Sequence, residues 1–226
     1  MQDINTILNR TEVENEVKDI LNNFNKEMNN VNFKKGIYIY GAPGSGKTTF
    51  ITNILKELNY DIIKYDAGDV RNKNLIETIT NNNISNRNVL DLMNRKQKKI
   101  AIVMDEIDGM NNGDKGGLTA LIKLIRQKKT KKQKQEDKTM NPIICIGNYI
   151  IDKKIRELIK VCNTYEIKTP SKEQSILLLN NLLPTYSSEH EMINNYIQGD
   201  LRKLELVFNL INKSNQKLPV NKLIEL

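Results

Sequence analysis

Residues 36–48 read Gly-Ile-Tyr-Ile-Tyr-Gly-Ala-Pro-Gly-Ser-Gly-Lys-Thr. The first part of this stretch is rich in β-branched and aromatic residues, which is typical of a buried strand. The rest matches the pattern G-x-x-x-x-G-K-[ST], in which a glycine-rich turn and a helix N-terminus surround phosphate groups with backbone N–H donors. The stretch therefore predicts a strand, a phosphate loop and a helix, with the candidate binding residues Gly41, Pro43, Gly44, Ser45, Gly46, Lys47, Thr48 and Thr49.

Two side chains at the end of the loop have separate expected roles. We expect Lys47 to reach the β- and γ-phosphates of a nucleotide and Thr48 to ligate Mg²⁺. The expected cofactors are therefore ATP and Mg²⁺. A chance glycine-rich turn is the alternative, which the strand before the loop and the helix after it disfavour.

A second apolar strand pattern ends in two adjacent acids. Residues 100–106 read Ile-Ala-Ile-Val-Met-Asp-Glu. We expect Asp105 to hold the metal and Glu106 to polarise the water that attacks the γ-phosphate. Side chains alternate across a strand, so the two carboxylates can serve these different partners. Two solvated acids at a strand end are the alternative, and the phosphate loop favours the catalytic interpretation.

Two polar side chains later in the chain are further candidates. Asn148 follows the apolar run 143–147 and could orient the attacking water or sense the γ-phosphate; an Asn that merely opens a turn is the alternative. Arg202 follows Asp200, which can cap a helix, and could reach a bound nucleotide; an exposed helical arginine is the alternative. The catalytic candidates are thus Lys47, Glu106, Asn148 and Arg202.

Strand and helix patterns alternate as far as Pro170, which favours an α/β fold with a parallel sheet covered on both faces. The predicted strands are 36–40, 61–65, 100–105, 143–147 and 164–167. The predicted helices before Pro170 are 11–28, 46–58, 71–81, 86–96, 117–127 and 152–161. Only helices, over 171–183, 187–198 and 200–212, are predicted after it. We therefore expect a nucleotide-binding domain over 1–170 and an all-helical lid over 171–226.

Composition excludes several classes of protein. The chain has 226 residues and a formal charge of +8, with two cysteines and one histidine. Its longest apolar run, residues 100–104, is too short to span a membrane, and the N-terminus lacks a signal-peptide pattern. A disulfide framework and a zinc site are disfavoured by the few Cys and His residues. The basic balance is compatible with a nucleic-acid partner.

Four stretches together resemble the AAA+ ATPases and, among them, the large subunit of the eukaryotic-type clamp loader, replication factor C. They are the phosphate loop, Asp-Glu-Ile-Asp-Gly-Met at 105–110 with Gly116-Gly117 after it, Pro-Ile-Ile-Cys-Ile-Gly-Asn at 142–148, and Asp-Ala-Gly-Asp-Val-Arg at 66–71. In the last of these, Gly stands where the family usually has Ser. The resemblance covers residues 5–212.

The resemblance implies a sheet in the order 5-1-4-3-2, with ATP between the core and the lid. It implies that Asn148 is sensor 1 and that Arg202 is sensor 2, a nucleotide-binding residue together with Asp105. The implied partners are clamp-loader small subunits, a sliding clamp and primer–template DNA, and no membrane. The residues implied to face the DNA backbone are Arg71, Lys73, Lys115, Gly116 and Gly117.

The chain departs from that family at three places. Residues 160–162 read Lys-Val-Cys where small subunits carry an arginine finger, so we expect this arginine to come from a neighbouring subunit. The chain ends soon after the predicted lid, so we expect the family's C-terminal collar to be absent from it; a collar encoded elsewhere, a fragment of a longer sequence and a reduced version of the protein are the alternatives. The Lys-rich segment 126–138 is longer than the family's turn, and either a solvated loop or a DNA contact would account for it.

Two further expectations and two alternative functions remain open at this level. The abundance of Asn, Ile and Lys suggests an AT-rich genome, such as that of a large DNA virus or a reduced parasite, and an intracellular place in the nucleus or a cytoplasmic viral replication site. The alternative functions are the large subunit of a checkpoint or cohesion loader, and a nucleotide-dependent DNA or protein adaptor that seldom hydrolyses ATP.

Overall fold

A computed structural model describes residues 3–28, 30, 32–66, 99–112, 117–127, 130–131 and 141–213. Within these ranges five strands form one parallel sheet: β1 (Gly36–Tyr40), β2 (Tyr60–Tyr65), β3 (Lys99–Met104), β4 (Ile143–Gly147) and β5 (Cys162–Glu166). Their order in the sheet is β2-β3-β4-β1-β5. The predicted α/β fold and the order 5-1-4-3-2, read from the other edge, are confirmed.

The pairing register places the ends of the central strands together. Tyr40 at the end of β1 pairs with Gly147 at the end of β4, and Met104 at the end of β3 pairs with Cys145. Since all of these strands are parallel, their carboxyl ends meet at one edge of the sheet, where ligands bind in open α/β folds. Residues that directly follow β3 and β4, among them Asp105 and Asn148, therefore share that edge.

The helices of the described chain occupy most of the predicted positions. They are α1 (Ile4–Ile7), α2 (Thr11–Glu27), α3 (Lys47–Glu57), α4 (Gly117–Ile125), α5 (Lys153–Val161), α6 (Lys172–Leu182), α7 (His190–Ile197) and α8 (Leu201–Lys213), with 3₁₀ helices at Ile107–Asn112 and Pro184–Glu189. The helix predicted at 187–198 is therefore α-helical only from His190. The predicted helices 71–81 and 86–96 lie outside the described residues.

Local sequence explains where the last helices begin and end. The Ser171 hydroxyl accepts a hydrogen bond from the Gln174 N–H while the Gln174 side chain accepts from the Ser171 N–H, which is a complete capping box at the start of α6. Gln198 ends α7 in the left-handed conformation, with φ of 50°, and Gly199 follows with φ of 79°.

The described chain divides into two compact units. The sheet unit contains residues 15–40 and 48–166 in so far as they are described, and the helical unit contains residues 3–14, 41–47 and 167–213. The phosphate loop therefore belongs to the same unit as the last three helices. The predicted domain boundary at Pro170 stays a prediction.

Each unit has its own apolar core. In the sheet unit, β1, β3 and β4 pack against α4 and α5 through fully buried side chains that include Tyr38, Met104, Leu121, Cys145 and Leu158. In the helical unit, the core joins α1 to α6, α7 and α8 through Ile7, Leu179, Ile193, Ile197 and Val207. Burying each such side chain contributes about 1.5–3 kcal/mol to folding. Among the helices that the structure describes, none has the length and apolar character needed to cross a membrane.

Candidate active site

The phosphate loop, residues 41–47, links β1 to the first turn of α3. Gly44 and Gly46 have φ of +77° and +83°, a conformation that side chains with a β-carbon rarely adopt. A β-carbon on Gly44 would in addition overlap the Asp200 carboxylate. The two glycines of the sequence pattern are therefore required by backbone geometry and, at Gly44, by the close approach of α8.

Within the loop, Lys47 and Ser45 present polar groups suited to phosphate. The Lys47 ammonium donates to the Gly41 carbonyl at 2.8 Å and to the Ala42 carbonyl at 3.0 Å, so it lies over the loop's own backbone. The Ser45 hydroxyl is fully buried and has no hydrogen-bond partner among the described residues. A buried donor without a partner costs free energy, and a phosphate oxygen in the loop would remove that cost. The loop therefore fits the phosphates of a nucleotide.

The start of α8 is hydrogen-bonded to this loop. The Leu201 N–H donates to the Gly44 carbonyl at 2.8 Å. Asp200 caps the helix by accepting from the Arg202 N–H at 2.9 Å, and the Arg202 guanidinium donates to both oxygens of the same carboxylate. Burial raises the pKa of Asp200, but the hydrogen bonds from Arg202 outweigh this effect and lower the pKa overall. The predicted sensor residue Arg202 thus lies one residue from a direct contact with the phosphate loop.

In the sheet unit, Asp105 is the centre of a small polar cluster. Its Oδ2 accepts from the Thr48 hydroxyl at 2.9 Å and lies 3.1 Å from the Lys64 ammonium, while its Oδ1 accepts from the Glu106 N–H at 3.0 Å. In the described residues, no three or more His, Cys, Asp or Glu side chains converge on one point. A single carboxylate with a neighbouring hydroxyl, completed by phosphate oxygens and water, is how Mg²⁺ is commonly held. Thr48 and Asp105 therefore fit a magnesium ion that arrives with a nucleotide.

Glu106 has an unusual backbone conformation. Its φ is +54°, in the left-handed region that costs a residue with a β-carbon about 1–2 kcal/mol. Its side chain is exposed to solvent, whereas the Asp105 side chain is only 12% exposed. Strained backbone of this kind is concentrated at functional sites. The turn thus separates the two acids, with one directed into the Thr48 cluster and the other available to solvent.

Asn148 is bound by an acid that the sequence predictions did not include. The Asp108 carboxylate, in the 3₁₀ helix Ile107–Asn112, accepts from the Asn148 N–H at 3.2 Å and from its side-chain amide at 2.8 Å. Asp108 is only 7% exposed. Nearby, the buried Tyr38 hydroxyl donates to the Tyr149 carbonyl at 2.7 Å. Burial and the neighbouring Asp108 charge raise the pKa of Tyr38, so it stays a neutral donor.

Comparison with known proteins identifies the family. The profile of the "ATPase family associated with various cellular activities (AAA)" matches residues 37–181. The chain belongs to the AAA family. The matched span contains the phosphate loop, Asp105, Glu106 and Asn148, so membership of this ATPase family implies that the chain binds nucleotide.

Two relatives of this AAA protein indicate a narrower group within the family. Replication factor C subunit 1 of Saccharomyces cerevisiae is 32% identical over 186 residues, which cover 77% of this chain and 20% of the relative. The replication factor C large subunit of Methanococcus aeolicus is 31% identical over 154 residues, which cover 68% of this chain and 29% of the relative. The chain therefore spans less than a third of the length of either relative. The resemblance to the replication factor C large subunit is confirmed by these matches.

A solved structure confirms the fold independently. The structure of C. elegans PCH-2 superimposes with a TM-score of 0.59 and 15% identity, over 95% of this chain and 67% of that chain. At this identity the likeness concerns the AAA fold alone.

The remaining predicted site residues differ in exposure, and several of them are not described by the structure. Thr49 and Pro43 are exposed, and Gly117 is buried at the start of α4. Arg71, Lys73, Lys115 and Gly116 lie outside the described residues, as does most of the Lys-rich segment 126–138. The roles assigned to individual site residues remain predictions.

Three functional candidates were missed by sequence reasoning. They are Arg10, whose guanidinium contacts the phosphate loop, Lys64 beside Asp105, and Asp108 beside Asn148. Asp108 lies within the motif at 105–110, so its position three residues after Asp105 was an available signal. Arg10 and Lys64 had no comparable signal, since each contacts residues that are distant in sequence.

Proposed function

We propose that this chain binds and hydrolyses ATP as the large-subunit-like motor of a clamp loader, which places a sliding clamp on primed DNA. The observation that carries hydrolysis is the Thr48–Asp105 hydrogen bond of 2.9 Å with Glu106 as the next residue. The relatives at 31–32% identity support the clamp-loader assignment, since each is named as a replication factor C large subunit or subunit 1.

Each residue of the site has a role in this reaction. The loop N–H groups, Lys47 and the Ser45 hydroxyl bind and orient the phosphates, which removes much of the entropic part of the barrier. When bound, Mg²⁺ supplies charge neutralisation at the phosphate oxygens, and Thr48 and Asp105 would hold it. Glu106 accepts a proton from the attacking water, and Asn148 orients that water through its amide. Arg202 binds the nucleotide phosphates from the start of α8.

The chain also requires a group from a partner. Residues 160–162, at the junction of α5 and β5, contain no arginine, and we infer that a neighbouring small subunit supplies the finger that stabilises the transition-state charge. The clamp, small subunits and primer–template DNA are the proposed partners. A role on primed DNA locates the chain at sites of replication, in the nucleus or at a cytoplasmic viral replication site.

Nucleotide binding and phosphate release by wild-type protein and two variants test the catalytic part of this proposal. Wild-type protein is expected to bind a fluorescent ATP analogue in the presence of Mg²⁺, and Lys47→Ala is expected to lose that binding. Glu106→Gln is expected to bind ATP as well as wild type and to hydrolyse it at least about a hundredfold more slowly, because a general base contributes about 10²–10⁴-fold. Equal hydrolysis by the Gln variant and wild type would remove Glu106 from its assigned role.

A further inference from the structure

Arg10 is a buried arginine that has no carboxylate partner within the part of the chain that the structure describes. It lies between α1 and α2, and only 6% of its surface is exposed. A single guanidinium nitrogen, Nη2, donates to the Ser45 carbonyl at 2.9 Å and to the Lys168 carbonyl at 2.8 Å. In the described part of the chain, no Asp or Glu forms an ion pair with it, and Glu14, one helical turn later, accepts from the Asn5 amide at 2.7 Å.

Such an arrangement is costly unless an anion compensates the charge. Buried charges in proteins are almost always paired, since an isolated cation in a low dielectric has lost its hydration. Burial lowers the pKa of Arg10 to about 10, so the group is still cationic at neutral pH. The two carbonyl groups satisfy hydrogen bonds and supply partial negative charge, but they do not neutralise a full positive charge.

The phosphate loop is the element next to this charge. The carbonyl of Ser45 accepts one of the two hydrogen bonds, and the buried hydroxyl of the same residue has no partner in the described ranges. The second guanidinium nitrogen, Nη1, lies 3.7 Å from the point that a β-carbon on Gly46 would occupy. A cation that no described carboxylate compensates therefore lies directly against the backbone of the loop proposed to hold the phosphates.

We propose that Arg10 is a positioning residue of the phosphate loop, which fixes the loop backbone through Ser45 and stabilises bound phosphate charge without touching it. The inference rests on the proposed nucleotide binding. The Lys168 bond also ties the loop to the segment that leads into α6, so that Nη2 joins the loop to the start of the last three helices. No sequence pattern marks such a role, because both acceptors are backbone carbonyls.

The proposal predicts an effect that grows with ligand charge. At an effective dielectric constant near 20, a unit charge within several ångströms of a phosphate charge changes affinity by about tenfold or more. Arg10→Met is therefore expected to weaken ADP binding about tenfold and ATP binding further still. Arg10→Lys keeps the charge but loses the guanidinium hydrogen bonds to the two carbonyl groups, so it is expected to weaken ADP binding and ATP binding by the same smaller factor.

The experiment measures the dissociation constants of ADP and the ATP analogue ATPγS by fluorescence titration for wild type and both variants. Arg156→Met, which removes an exposed arginine from α5, is the matched control and is expected to bind both ligands as wild type does. Arg10→Met with wild-type affinities, or with equal losses for ADP and ATPγS, would overturn the electrostatic role. Wild-type protein that binds neither ligand would contradict the proposed function itself. If the Arg10 proposal alone is wrong, wild-type protein still binds both ligands.

A second readout on wild type does not depend on a variant that folds well. In protein labelled with ¹⁵N-arginine, the guanidinium signal absent from the Arg10→Lys spectrum reports Arg10. This signal is expected to shift on addition of ADP and to stay unchanged with adenosine, which carries no phosphate. A guanidinium signal whose chemical shift stays unchanged at saturating ADP would contradict the proposal.

Discussion

The Asp108 carboxylate binds Asn148 at two points, by accepting from its backbone N–H at 3.2 Å and from its side-chain amide at 2.8 Å. Because Asp108 is buried and follows β3 while Asn148 follows β4, this pair fixes the direction of the amide at the carboxyl edge of the sheet. A side chain proposed to orient water is thus held by a fixed acid rather than by its own rotamer preference.

Asp108→Ala is expected to lower ATP turnover about tenfold with little change in nucleotide affinity, because the misplaced Asn148 amide no longer orients water. Asn148→Ala should cause a similar loss. If the two residues act as one unit, the double variant loses no more than either single variant. Steady-state phosphate release and nucleotide titration measure the two effects, and fully additive losses would contradict the coupling. Thermal melting of all three variants checks that they are folded.

The strained backbone at Glu106 predicts an order of stabilities. Replacing Glu106 by Gly removes the β-carbon that makes a φ of +54° costly, whereas Ala retains it. Glu106→Gly is therefore expected to be about 1 kcal/mol more stable to denaturant than Glu106→Ala. The comparison of Asn59→Gly with Asn59→Ala, at φ of 59°, is a control at a turn away from the site. Equal stabilities for the Gly and Ala variants at Glu106 would show that the turn relaxes.

Lys64 competes with a metal for the same carboxylate oxygen, since its ammonium lies 3.1 Å from Asp105 Oδ2. Partial burial lowers the pKa of Lys64, but its hydrogen bond to Asp105 outweighs this effect and raises the pKa, so it is charged at neutral pH. Lys64→Met is expected to lower the Mg²⁺ concentration for half-maximal nucleotide binding about threefold, as the loss of a partly exposed ion pair allows. Lys64→Arg retains the charge and is expected to leave the required Mg²⁺ concentration unchanged. A higher Mg²⁺ requirement in Lys64→Met would reverse the assigned sign.

Asp200 predicts a dependence of stability on pH. Its pKa is lowered in the folded chain, chiefly by hydrogen bonds from Arg202 that outweigh burial. The carboxylate therefore stabilises the fold above the unfolded pKa, and this contribution is lost as the pH falls through the folded pKa. Asp200→Ala should lose about 1 kcal/mol at pH 7, typical of a helix cap, and the gap from wild type should narrow below about pH 4. A gap that is the same at pH 7 and pH 3 in urea unfolding would contradict this account.

The parts of the structure that could be predicted are those encoded by local chemistry. The phosphate loop needs glycine at Gly44 and Gly46 because of its backbone, so the pattern in the sequence specifies the geometry directly. Element boundaries were less accurate where they depend on distant partners. The last strand was predicted at 164–167 but spans Cys162–Glu166, because Cys162 pairs with Gly36 of β1, and neither residue indicates this pairing by itself.

Arg10 and helix α1 were not predicted, each for its own physical reason. Arg10 resembles any surface arginine in a polar stretch, since its acceptors are carbonyl groups of Ser45 and Lys168, 35 and 158 residues away. Helix α1, only four residues long, was missed because its single cap, Asp3, precedes too short an apolar pattern.

The most direct test of the proposed function is the steady-state rate of ATP hydrolysis by the purified chain, alone and then with clamp-loader small subunits, primed DNA and a sliding clamp from the same organism. The account predicts a low rate alone that rises only when small subunits supply the missing arginine and increases further with primed DNA and clamp. A high rate for the chain alone, unchanged by the small subunits, would contradict it.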